Sequence, residues 1–262
     1  MVNFIALIIL HILGDFYLQT NKIAKCKNAK IDNECAGCIK CKQTSVINRK
    51  YLLLHAFLYS IPFFFLFFIT DWLSAIIIYA IVSVSHCIID VLSCYANKKF
   101  KKTIVFLFDQ FLHISIIYLL YKLFAFNSIL IGYELAIKII FVTLLLISPS
   151  SILVNKLFED VFSKKEEIKI GDKKEESNGI EPISANQNVI FDVGSIIGIL
   201  ERILVLIFSC FGDFAAIAII ITVKTWARTG DLKAPEFRNK YLLGTLASIV
   251  IALLAFLLYN SL

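Results

Sequence analysis

Charge is what this chain has least of. Only 18% of its 262 residues are Asp, Glu, Lys or Arg, 59% are hydrophobic, and the mean hydropathy is +0.81. That balance excludes a soluble globular domain. Period-two alternation is missing from the apolar runs, which excludes a membrane barrel and leaves helices near the bilayer-crossing length. The start, Met1-Val2-Asn3, lacks a positive region and no small-residue cleavage site follows, so the first apolar run is expected to remain. Nucleophile motifs, phosphate-binding glycine loops and nucleotide fingerprints are missing, and with them the expectation of ATP use. Histidine is scarce too, four in all, and none falls in a hydrophilic loop.

What is there is a series of apolar segments. Segment one runs from about Val2 to Gln19 and is short for a full crossing. Segment two runs from about Tyr51 to Ile69, three from Trp72 to Ala96, four from Thr103 to Phe124 and five from Glu134 to Leu157. Residues 20–50 carry Lys22, Lys25, Lys27, Lys30, Lys40, Lys42, Arg49 and Lys50 against only Asp32 and Glu34, and so read as a cytoplasmic loop. The run from Asn97 to Lys102 and the connection from Arg228 to Lys240 are basic as well; Lys122 and Lys138 are exceptions near outer ends. Residues 158–190 change to mixed Lys and Glu with Gly179 and Pro182, a flexible cytoplasmic linker. Beyond it lie segments six (Val193 to Phe211), seven (Asp213 to Ala227) and eight (Tyr241 to Tyr259). The expected fold is an all-α polytopic bundle of about eight transmembrane helices with both termini outside. It divides into a five-helix part (1–157), the linker, and a three-helix part (191–262). The net charge of +6 flanks the apolar segments as topology determinants, so the bilayer, not nucleic acid, is the expected partner.

The histidines are paired with carboxylates. His11 and Asp15, His86 and Asp90, and Asp109 and His113 are each four apart, which puts each pair on one helix face with a rise of roughly 6 Å. Segments one and three run inward with histidine first; segment four runs outward with aspartate first. Every aspartate therefore lies nearer the cytoplasm and every histidine about a turn deeper, with His55 of segment two entering near the aspartate level. A carboxylate in a transmembrane helix costs about 2.5–3.5 kcal/mol on insertion scales. Three at one depth repel unless something positive lies between them, and a divalent cation would serve. The mixed donors suit zinc, manganese or iron. Seven ligands (His11, Asp15, His55, His86, Asp90, Asp109 and His113) exceed one tetrahedral site, so two metals, or one metal plus acid/base groups, are expected. A proton or ion relay and plain interhelical hydrogen bonding remain the alternatives.

Four cysteines, Cys26, Cys35, Cys38 and Cys41, fall in the first loop with spacing C-x8-C-x2-C-x2-C. They can close around one soft metal as a small structural zinc knuckle, the other readings being iron–sulfur or redox use and unliganded thiols. Cys87, Cys94 and Cys210 read as packing residues. In segment six, Gly194 and Gly198 form a small-residue stripe followed by Glu201 and Arg202. Glu201 enters about as deep as the aspartates and is a candidate ligand, general base, or partner of Arg202 or Lys224. Lys224 and Arg228 could hold an anionic head group or phosphate, or snorkel as anchors.

The words HILGDFYLQ from His11, LLLH ending at His55, SHCIID from Ser85 and FDQFLH from Phe108 resemble an uncharacterised family of bacterial and phage multi-pass membrane proteins, domain of unknown function 3307. GSIIGILER from Gly194, the Lys224-x3-Arg228 stretch and YLLGTLAS from Tyr241 are similar too, more weakly. The resemblance implies a bacterial cytoplasmic-membrane protein with these His and Asp positions as its site, and names no substrate. Relative to the family pattern the cysteine loop is extra. The leading functional expectation is a metal-dependent hydrolase in which Asp90 or Asp109, or Glu201, acts on protons, and whose substrate is a lipid, a lipid-linked phosphate or a membrane peptide. The alternatives are a metal-ion or proton-coupled transporter and a non-enzymatic membrane protein with a structural metal.

Overall fold

The computed structural model describes residues 1–19, 49–127, 130–171 and 193–262. The cysteine loop and most of the charged linker lie outside them. Among the described residues the chain is all helix. We number eight helices. α1 is Val2–Ile12 prolonged by a π-helical turn, Leu13–Tyr17; α2 is Arg49–Ser60 followed by a 3-10 stretch, Ile61–Phe65, and Leu66–Ile69. α3 is Trp72–Ala96, α4 Lys102–Leu123, α5 Glu134–Gly171, α6 Val193–Phe211, α7 Phe214–Ala227 and α8 Pro235–Ser261. Six of them (α2 to α6 and α8) are long and apolar enough to cross a membrane; Val2–Tyr17 and Phe214–Ala227 are shorter. The chain is a multi-pass membrane protein by this measure, and helices suit that solvent because every internal backbone group is bonded within its own segment.

Local sequence explains the irregularities. Pro62 has no N–H to return to the previous turn, and there α2 tightens into its 3-10 stretch. Thr70 is extended and ends the helix. Asp71 then caps α3 by accepting the Ser74 N–H at 2.9 Å, and that bond holds its carboxyl below the ordinary carboxylate range. Between α6 and α7, Gly212 takes a positive φ of 72°, a conformation that favours glycine, and Asp213 caps α7.

Two compact units result, Met1–Pro149 with the last two residues, and Ser150–Asn260. In the first, α1 is central: Ile5, Ala6, Leu7, Ile8, Leu10 and Ile12 are all buried, so its hydrophobicity all round reflects protein neighbours rather than lipid. Phe4 packs its ring on Tyr118 and Tyr121 of α4, Tyr59 of α2 lies beside His11, and Tyr17 donates to the Leu144 carbonyl of α5 at 2.8 Å. The outer faces of α2 to α4 are apolar and exposed, with Phe57, Phe68, Val84, Ile88, Leu92 and Phe108 outward, as lipid-facing surface requires.

The second unit begins inside α5, at Ser150, directly after Pro149, which cannot donate to the preceding turn. The sequence reading ends this helix near Leu157; it runs on to Gly171. Packing accounts for the first part of the extension. The Phe158 ring occupies the space beside Gly244 of α8, where a Cβ would come within 2.8 Å of it, and Lys240 lies 5.5 Å from the centre of the Phe162 ring. α8 likewise starts before the apolar run, at Pro235.

Candidate metal centre

Four helices of the first unit bring seven His and Asp side chains into one buried cluster, each 9% exposed or less. At its heart two imidazoles face each other: Nε2 of His55 and Nε2 of His86 are 3.1 Å apart. His55 Nε2 is also 3.3 Å from Asp15 Oδ1 and 3.3 Å from Asp90 Oδ2, while His86 Nε2 is 3.9 and 3.6 Å from the same two oxygens. A tetrahedral metal with bonds of about 2.0–2.1 Å separates its ligand atoms by about 3.3 Å. The three edges at His55 are close to that value, and the two from His86 to the carboxylates are longer. The Nδ1 atoms of His55 and His86 are buried without hydrogen-bond partners. A metal-ligating imidazole ordinarily donates its other ring N–H to an oxygen, and neither ring does so here.

A second group adjoins the first. Asp90, Asp109 and His113 can present one ligand atom each within 4.8 Å of one another, as can Asp15, His55 and His86, and His11, His86 and His113. Asp90 thus touches both carboxylate-containing groups. His113 Nε2 is 3.6 Å from Asp109 Oδ2 and has no hydrogen-bond partner. The all-imidazole group is less suited, because His11 is already engaged on both nitrogens, with the Tyr59 hydroxyl at 3.1 Å and Gln110 Oε1 at 3.1 Å.

The imidazoles of His11, His86 and His113 also cluster, with ring centres 4.6–6.4 Å apart. Three buried carboxylates repel in a low-dielectric interior, and a divalent cation is the compensating charge their donors fit. Any of these groups could hold a metal ion.

Several residues around the cluster carried no signal strong enough to single them out. Gln110 donates from Nε2 to Asp15 Oδ2 at 3.0 Å and to Asp109 Oδ2 at 3.1 Å while its oxygen meets His11, so one amide ties α1 to α4. The Tyr59 ring stacks on His86, 3.5 Å between centres and 5° from parallel. Ser93 donates to Asp109 Oδ1. Gly14 is required by close approach: a Cβ there would lie 2.5 Å from the Tyr59 carbonyl oxygen. Tyr59 follows His55 by four residues and so shares its helix face, whereas Gln110, next to Asp109, has no such spacing to mark it. Asp15 itself sits in the π-helical turn, where Leu18 N–H bonds Leu13 O, so the first His/Asp pair departs from regular α spacing.

The remaining sequence candidates lie elsewhere. Glu201 accepts from Lys224 Nζ, and Arg228 is 3.5 Å from Asp231, all in the second unit. Cys26, Cys35, Cys38 and Cys41 are outside the described residues. Among the described residues, Cys87, Cys94 and Cys210 form no disulfide.

No curated protein and no solved structure matches the chain. A family model does, described as "Protein of unknown function (DUF3307)", over residues 3–36 and 33–142. The two stretches meet inside the cysteine loop, and the second-half words lie beyond the match. All seven clustered His and Asp residues fall within it, and the chain belongs to that family.

Proposed function

We propose that the first unit holds an intramembrane divalent-metal centre that opens toward the cytoplasm and serves a hydrolase acting on a lipid, a lipid-linked phosphate or another membrane-associated substrate. The observation that carries the metal is the convergence of Asp15, His55 and His86, whose ligand atoms lie within 4.8 Å of one another, with Asp90 Oδ2 3.3 and 3.6 Å from the two imidazoles. Zinc, manganese and iron fit this donor set better than calcium or magnesium. Asp90, Asp109 and His113 offer a second position beside the first, and His11 supports it through Tyr59 and Gln110.

A bound divalent ion supplies two things: a coordinated water acidic enough to ionise near neutrality, and polarisation of a scissile carbonyl or phosphoryl oxygen. The chain's own part is the proton. Asp109, held by Ser93 and Gln110, or Asp90, would be the carboxylate to accept it. Glu201 is engaged with Lys224 and acts as an ion-pair partner. The setting is a bacterial cytoplasmic membrane, crossed about eight times with both termini outside, and the four loop cysteines bind a structural zinc.

One observation favours a second reading, a structural metal in a non-enzymatic protein: His55 and His86 are wholly buried. Elemental analysis of detergent-purified protein tests both. The Cys35→Ser, Cys38→Ser background removes the competing loop site, and the same protein carrying His86→Ala and Asp109→Ala is its control. The expected result is about one or two metals per chain, lost in the control while the helical content stays. If neither protein retains metal after zinc, manganese and iron are supplied, the metal reading is wrong. If metal is held but Asp109→Asn leaves product release from a membrane-lipid extract unchanged or absent in both proteins, the structural reading replaces the hydrolase.

A further inference from the structure

The second unit has polar groups that the metal centre does not use. A cavity between α6, α7 and α8 is lined by Glu201, Arg202, Lys224, Thr245 and Ser248 among aliphatic side chains, with about 290 Å³ of unfilled space counted out through its mouth. Two cations and one carboxylate face it, so its charged lining has a surplus of one positive charge. Arg202 is only 3% exposed and lies within an apolar span, where a charged side chain is costly and marks a functional position by default. Its guanidinium donates to the Ser248 hydroxyl at 3.2 Å and to the Ser151 hydroxyl at 2.6 Å. Lys224 donates to Glu201, and both remain partly exposed, at 24% and 15% of their side chains, which places them at the mouth.

Thr245 gives an independent sign. A threonine in an apolar helix ordinarily spends its hydroxyl on the carbonyl one turn back. Thr222 and Thr225 of α7 do so, on Ala218 and Ile221, both at 2.8 Å. Thr245 lines the cavity and is buried, yet its hydroxyl bonds nothing. A hydroxyl donor kept in reserve beside a guanidinium and an ammonium is a set for oxyanions.

We infer that this cavity is an anion site for a phosphate group, taken at its mouth by Lys224 and met from the buried side by Arg202, with Thr245 and Ser248 as hydroxyl donors. The enclosed end has room for about one water, so the phosphate sits outermost and competes with Glu201 for Lys224. The phosphate belongs either to a lipid head group or to a free anion. Glu201 is then an internal stand-in for the ligand. That gives the proposal a signature that simple helix pairing lacks: removing the carboxylate strengthens binding.

Native mass spectrometry of the full chain in an uncharged detergent tests this, with dihexanoyl-phosphatidylglycerol and inorganic phosphate titrated separately. One bound phosphate species per chain is expected, with affinity about tenfold lower in Arg202→Gln, from loss of a charge-assisted donor, and raised several-fold in Glu201→Gln. Thr245→Val, which keeps the side-chain shape, lowers affinity without changing the thermal midpoint. Binding of the lipid but not of phosphate assigns a head group; equal binding of both assigns a free anion. The inference is overturned if neither probe binds, or if Glu201→Gln weakens binding as Arg202→Gln does, which is what a purely structural ion pair would do. Should Arg202→Gln not fold, the Glu201→Gln and Thr245→Val results decide.

Discussion

Gly14 shows how a residue without functional atoms governs the site. Its α-carbon lies against the Tyr59 backbone in the turn that carries Asp15, and a methyl group there meets the Tyr59 carbonyl oxygen at 2.5 Å. Gly14→Ala is expected to destabilise by about 1–3 kcal/mol, since backbone rather than a side-chain tip must move. A lowered thermal midpoint together with reduced metal content would be the observed pair; an unchanged midpoint would mean that α1 does not approach α2 so closely. Gln110 has the complementary role of fixing Asp15, Asp109 and His11 relative to one another. Gln110→Leu removes the N–H donors to Asp15 and Asp109 and the acceptor facing His11. Loss of such an outer support typically weakens metal binding by about 10–100-fold. Competition against a chromophoric chelator measures this, and an undiminished affinity would remove Gln110 from the centre. The clustered residues were legible because four histidines and three aspartates have no ordinary reason to be in apolar segments. Gln110 and Tyr59 were not, since a neutral amide and one more aromatic in a phenylalanine-rich run attract no notice.

Elements were legible where hydropathy alone defines them. Segments two and three coincide with the spans Tyr51–Ile69 and Trp72–Ala96. α5 was not, because Phe158 and Phe162 stand among charges and the sequence does not say that Gly244 leaves room for one ring. The expectation that follows concerns both partners. Gly244→Ala crowds the Phe158 ring tip and lowers the thermal midpoint, and the same change in a Phe158→Leu background has a smaller effect. The double-mutant cycle should return a coupling of about 1 kcal/mol; additivity would separate the two residues. Asp71 supports α3 differently, through its carboxylate on the Ser74 N–H. Its carboxyl is held below the usual range, so the stabilisation is present above that range and is lost as pH falls through the lowered value. Asp71→Asn, which keeps an acceptor oxygen, should preserve the midpoint at neutral pH, whereas Asp71→Ala should lower it.

At the scale of the whole molecule, the reading of function depends on which side the carboxylate level faces. Asp90 precedes the end of α3 and Asp109 follows the start of α4, so both lie toward the turn that contains Lys98, Lys99 and Lys101. Cationic connections favour the cytoplasmic side during insertion, so this turn is expected inside and the Thr70–Asp71 turn outside. In protein whose native cysteines have been replaced, Asp71→Cys should react with a membrane-impermeant maleimide in intact cells. Lys99→Cys should react only after the cells are opened. The reverse pattern would turn the carboxylate level toward the cell exterior, and a substrate reaching Asp15, Asp90 and Asp109 would then come from outside. Labelling of both positions in intact cells would deny that α3 crosses the bilayer at all. The depth order inferred from the sequence is thus separable from the clustering itself: His55 and His86 meet the same carboxylates in either orientation, but only one orientation gives a cytoplasmic hydrolase its substrate.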